Sequence, residues 1–179
     1  MIDSLEQDLS KLVIDHWALV FELYQRADEL KRKVIDQSRD EFRQRESFIE
    51  LEKLGVSLKG SGLWYVAFEH QNKLLSYVQV EVPKGTPRLG VYVRTAFTGS
   101  GVSYVEVKNS LSEDLRNRFS SIYDASAGST RTLARTIVMD SYDLNDLISQ
   151  TVDEVERQVE VGEALFEIMK AKMGRVEPT

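Results

Sequence analysis

Cysteine is absent from this 179-residue chain, so it has no disulfide framework, thiolate zinc site or cysteine nucleophile. Histidine occurs only twice, as His16 and His70, far apart in sequence. That excludes a histidine-rich metal site and leaves a Ser-His-Asp triad short of candidates. Proline occurs only three times, and never before residue 83. The longest stretch free of Asp, Glu, Lys and Arg runs from Thr95 to Val105, far short of the ~20 residues of a membrane span. Gly99 and Gly101 precede an apparent strand rather than a helix, and no nucleophile-elbow glycine pattern exists. Phosphate-loop, dinucleotide and hydrolase classes drop out, and no cofactor is expected. Met1-Ile2-Asp3-Ser4-Leu5-Glu6 lacks the basic segment of a signal peptide, so a cytoplasmic chain without membrane contact is expected.

What is present is an ordinary globular balance, 42% apolar and 29% charged, with charge segregated along the chain. Residues 1–55 carry net −4, residues 56–139 net +4, and residues 140–179 net −6. A cationic middle lies between two anionic ends. Neutralisation within the fold is one consequence; a surface for an acidic or phosphate-rich partner is the other.

Leu5, Leu9, Leu12, Val13, Trp17, Val20, Phe21, Tyr24, Ala27, Leu30 and Val34 step by threes and fours, behind a capping-box spacing at Ser4 and Gln7. Between Leu12 and Tyr24 the apolar residues take most of the helix circumference, which predicts burial on more than one side. The seam then thins to Ile35, Phe42 and Ile49, with Gly55 as the stop. Leu63–His70 and Leu74–Val82 read as a hairpin around Gln71-Asn72-Lys73. Arg88–Ala96 and Val102–Lys108 read as a second, around Thr98-Gly99-Ser100-Gly101. Leu111, Leu115, Phe119 and Ile122 suggest a short helix, Thr130–Met139 a fifth strand, and Leu144 to Met173 a long regular helix.

The expected fold is therefore α+β, with a four- to five-stranded, mainly antiparallel sheet flanked by long N- and C-terminal helices in the order α-β-β-β-β-α-β-α. One domain is expected over 1–179: a helical arm at 1–55, a sheet-containing core at 56–139 and a long helix at 140–174. The helix seam is expected to use Leu12, Trp17, Val20, Tyr24, Val155, Val159, Phe166 and Met169. Helices of this length favour a coiled-coil-like homodimer.

Two chemical readings follow. Pairing the first hairpin about its turn places Trp64, Phe68 and Tyr77 on one face. If Tyr92, Arg94, Tyr104 and Lys108 of the second hairpin continue it, the seven form a stacking platform for nucleic-acid bases, with cations for phosphates. Alternatively, Glu106-Val107-Lys108 resembles the second half of the signature of restriction-endonuclease-like nucleases. That resemblance implies a Mg²⁺ site at Glu106, an assisting Lys108 and an upstream acid. The family's acid is typically Asp; residues 56–112 hold none, and Glu81 is the nearest substitute. Arg131 and Arg135 are expected to pair with acids of the last helix. Without a cofactor motif, the reading favoured is a non-enzymatic, oligomeric binding or adaptor protein that docks a protein partner or nucleic acid.

Overall fold

A computed structural model describes the backbone of residues 2–82, 90–98, 103–118, 122–127, 130–138 and 143–173. The chain divides into two units, Met1–Lys33 and Val34–Thr179. In the first, α1 (Ile2–Asp15) is followed by the start of α2 (Trp17–Gln44). His16 separates them, yet the His16 N–H bonds to the Leu12 carbonyl at 3.1 Å and the Val20 N–H to the His16 carbonyl at 3.0 Å. The i→i−4 ladder thus continues through the junction.

In the second unit, Arg45 leaves helical geometry and α3 (Glu46–Lys53) begins. It ends in a Schellman motif: the Val56 N–H reaches the Leu51 carbonyl and the Gly55 N–H the Glu52 carbonyl. Gly55 sits at φ +85°, which a side chain would resist. The strands are β1 (Ser57–Lys59), β2 (Trp64–His70), β3 (Lys73–Glu81), β4 (Val91–Thr98), β5 (Ile122–Ala127) and β6 (Thr130–Val138). Between β4 and β5 lie α4 (Tyr104–Ser110) and α5 (Glu113–Arg118), and α6 (Leu144–Met173) closes the chain. The six strands form one antiparallel sheet in the order β1-β2-β3-β4-β6-β5.

The main apolar clusters lie on one face of that sheet. Trp64, Val66 and Phe68 alternate inward on β2, and Val78 and Val80 on β3. Val34, Ile35 and Phe42 of α2 meet them, with Phe48 and Leu51 of α3 and Val152, Val155 and Val159 of α6. A second cluster joins Phe97 to Val107 and Leu111 beside α4 and to Val161, Leu165 and Met169 of α6. Buried polar groups here are matched. The Gln158 amide donates to the Val93 carbonyl at 3.1 Å and to Glu154 Oε1 at 2.7 Å, and its oxygen accepts from Thr95 Oγ1 at 2.8 Å. Ser76 Oγ donates to the Gly162 carbonyl at 2.7 Å.

The α+β class and the antiparallel sheet between N- and C-terminal helices agree with the expectation; several details differ. Residues 104–108, expected as a strand, are helical in α4, so β4 pairs with β6 instead. Short β1 and β5 bring the strand number to six. The hairpin turn is two residues long, Gln71 and Asn72 at φ 50° and 61°, with a bulge at Phe68/Glu69. Tyr65 and Ala67 consequently share a face with Tyr77, whereas Trp64 and Phe68 take the other. Of the expected helix seam, Val155, Val159 and Met169 are buried, while Leu12, Trp17 and Tyr24 are exposed. The turns at 83–87 and 99–101 and the side chains of Arg131 and Arg135 lie outside the described residues. Asp153 and Glu156 instead meet Arg45, at 3.1 and 3.7 Å.

Candidate functional site

The sheet face opposite the helices starts from residues whose alternation turns them away from the core. Its registers are Ala67↔Tyr77↔Ala96, Tyr65↔Gln79↔Arg94 and Glu81↔Tyr92. The two alanines flanking Tyr77 leave room for its ring, and both are fully covered. Tyr65 and Tyr77 approach at 5.8 Å between centroids, tilted by 60°, a favourable aromatic geometry. Arg94 donates through Nε at 2.9 Å and Nη2 at 2.5 Å to Gln79 Oε1. Gln79 Nε2 in turn donates to Glu81 Oε2 at 2.9 Å. This polar chain crosses three residues of adjacent strands beside the tyrosines. At the edge, Lys59 Nζ pairs with Glu69 Oε1 at 2.5 Å. In register, Arg135 lies opposite Arg94 on β6.

Three of the seven residues expected in a stacking platform, Tyr77, Tyr92 and Arg94, share this face. Trp64 and Phe68 do not: they are 0% and 2% exposed, on the helix side. Tyr104 and Lys108 stand on α4, and Tyr104 packs against the second core cluster. Tyr65 takes the aromatic place that was expected of Trp64 or Phe68. A one-residue change in hairpin register exchanges every side chain between faces, which accounts for the substitution.

The nuclease set separates in the same way. Glu81 belongs to the Gln79 chain on β3. Glu106 Oε2 accepts from the Ser103 N–H at 3.3 Å and faces Lys172 Nζ at 3.4 Å, which makes it a helix-capping group. Lys108, two residues further along a helix, projects roughly 200° around the axis from Glu106. Among the described residues no cluster of three His, Asp or Glu side chains could hold a metal ion. His70 lines a cleft of about 310 Å³ with Glu163, Phe166 and Glu167, and brings no second histidine.

A second candidate surface lies on the Met1–Lys33 unit. Ten of the thirteen large apolar side chains exposed among the described residues fall there. Trp17 is 62% exposed, Tyr24 73% and Ile14 72%. They form two stripes at helical spacing. One contains Leu9, Val13, Trp17, Val20, Tyr24 and Ala27; the other contains Leu12, Leu19, Leu23 and Leu30. The leucine stripe, with steps of four and seven, is a signal of which the expected seam used only Leu12. No described helix is long and apolar enough to cross a membrane. Comparison with protein-family models, curated proteins and solved structures finds no match to this chain.

Proposed function

We propose that this protein is a non-enzymatic adaptor that self-associates through the helix of Met1–Lys33 and presents the sheet face opposite α6 to a protein partner. The observation carrying this reading is the exposed apolar surface of that helix. Ten large side chains leave on the order of 1,000 Å² open, against the about 800 Å² per partner of a stable interface and the few hundred typical of monomers. Two stripes on one helix call for neighbours on two sides, as in a helical bundle. Acidic residues Asp3, Glu6, Asp8 and Asp15 of α1 disfavour an anionic membrane as the covering surface.

The sheet face suits a protein partner because the half-buried Tyr65 and Tyr92, beside the buried Tyr77, combine apolar area with a hydroxyl, and its charges are already arranged in register. Nucleic acid is the second reading, favoured by Tyr65, Tyr77 and Tyr92 beside Arg94. It is the weaker one, since Arg94 is held by Gln79 and Lys59 by Glu69. Light scattering coupled to size exclusion tests the proposal: a mass that is a multiple of 20.5 kDa is expected, and one chain across the accessible concentrations would defeat it.

A further inference from the structure

Resting on the self-association proposed above, we infer that two copies pair antiparallel along the Val13–Trp17–Val20–Tyr24 stripe, so that Glu6 of each chain meets Lys31 of the other.

Two observations point to this orientation, and a third leaves the choice to them. The first is charge. Arg26 pairs with Glu29 at 3.8 Å and Arg32 with Asp28 at 2.5 Å within the helix. Glu6 and Lys31, at opposite ends of the same stripe, hold no ion pair among the described residues. An antiparallel register that sets Trp17 opposite Val20 also sets Glu6 opposite Lys31, twice by symmetry. A parallel register stacks Lys31 on Lys31 and Glu6 on Glu6, which is unfavourable at both ends.

The second is size. In the antiparallel register Tyr24 faces Val13 and Trp17 faces Val20, a large residue against a smaller one in each layer. In the parallel register the tryptophans share one layer and the tyrosines another, while the valine layers are left thin. The third is the flanks. Ile14 and Phe21 border the stripe on one side and Leu23 and Leu30 on the other, so its central margins carry no like charges that would repel in either direction. The charges that decide orientation are therefore the terminal ones.

The absence of native cysteine makes the test direct. Val13→Cys and Tyr24→Cys proteins are prepared singly, unfolded together, refolded and oxidised, with retained helicity checked by circular dichroism. Antiparallel pairing yields the mixed disulfide between position 13 of one chain and position 24 of the other, and little linkage in either protein alone. Charge reversal supplies an independent arm. Lys31→Glu is expected to raise the dissociation constant about tenfold, by placing two acids together at each end. Adding Glu6→Lys to the same chain is expected to restore it. Self-linked Val13→Cys and Tyr24→Cys dimers, or a Lys31→Glu protein that associates undiminished, would overturn the orientation and leave the adaptor reading standing. A single-chain mass for the unsubstituted protein would overturn both.

Discussion

The Trp64 indole N–H donates to Ser38 Oγ at 3.2 Å, and Ser38 Oγ donates onward to the Ile35 carbonyl at 3.2 Å. Phe42, one turn along α2, stacks on the same indole at 5.6 Å. Trp64 is thereby a fastening point between α2 and β2, with its one polar atom satisfied inside the core. Ser38→Ala leaves that N–H buried and unpaired, at a cost of about 1–3 kcal/mol. Urea denaturation followed by tryptophan fluorescence should show a lower midpoint with an unchanged slope.

Gly162 lets α6 approach the sheet. A Cβ there would meet Phe68 Cε2 at 2.8 Å and Val78 Cγ2 at 3.1 Å, both belonging to packed core side chains. Overpacking costs about 1–3 kcal/mol, against roughly 1 kcal/mol gained in helix propensity on leaving glycine. Gly162→Val adds a branched side chain and should destabilise by about 2 kcal/mol or more; an unaltered melting temperature would contradict the close approach.

Glu106 is expected to act on stability rather than on metal chemistry. Glu106→Ala removes the acceptor for the Ser103 N–H and the partner of Lys172, and should cost about 1 kcal/mol, as lost caps do. Glu106→Gln keeps an acceptor and should cost less. Plasmid and single-stranded DNA incubated with the protein and Mg²⁺ or Mn²⁺ should stay intact. Cleavage lost in both Glu106→Ala and Lys108→Ala would revive the nuclease reading.

Arg94 separates the two partners proposed for the sheet face. Retention on single-stranded DNA or RNA that falls steeply with salt and disappears in Arg94→Glu would favour nucleic acid, because phosphate contacts release counterions. The adaptor reading expects no such retention. It also expects Arg94→Ala to lower stability by about 1–2 kcal/mol, since Gln79 is 6% exposed and loses a charged donor.

The double substitution Trp17→Glu, Tyr24→Glu places four acids in each pair of apolar stripes. Light scattering should then report one 20.5 kDa chain, with the far-ultraviolet signal of the sheet retained. Assembly that survives both changes would move the interface elsewhere.

Long regular patterns were the legible part of this chain. The stepping of Leu144, Ile148, Val155, Val159 and Met169 gave α6, and the turn read at Gln71-Asn72-Lys73, one residue longer than the Gln71-Asn72 turn found, gave the β2–β3 hairpin. Residues 104–108 misled because Tyr-Val-Glu-Val-Lys alternates and is β-branched, the composition of a strand. Against that stood a capping-box spacing at Ser103 and Glu106 and the helical step from Tyr104 through Val107 to Leu111. Tertiary burial of Val107 and Leu111 beside α6 decided for the helix. The aromatic face lost Tyr104 and Lys108 to α4, and Trp64 and Phe68 through a single residue of register, which alternation cannot supply when both faces carry apolar side chains. The exposed apolar surface of Met1–Lys33 was half legible: the all-round apolar helix was visible, but its neighbours are not encoded in periodicity.

Gln158 introduces an asymmetry into an otherwise repetitive contact. The buried valines of α6 are near equivalents, so a slide of one helical turn along β4 would exchange one for another at little cost in apolar contact. The amide tolerates no such slide. Its oxygen needs the Thr95 hydroxyl and its nitrogen needs the Val93 carbonyl, two groups that lie together at one position on β4. A shifted helix would carry an uncompensated amide into an apolar wall. Gln158 therefore acts as a key that singles out one seating of α6 from several of similar hydrophobic energy, and Gln158→Leu should yield a protein whose α6 amides exchange with solvent faster even where its global stability is preserved.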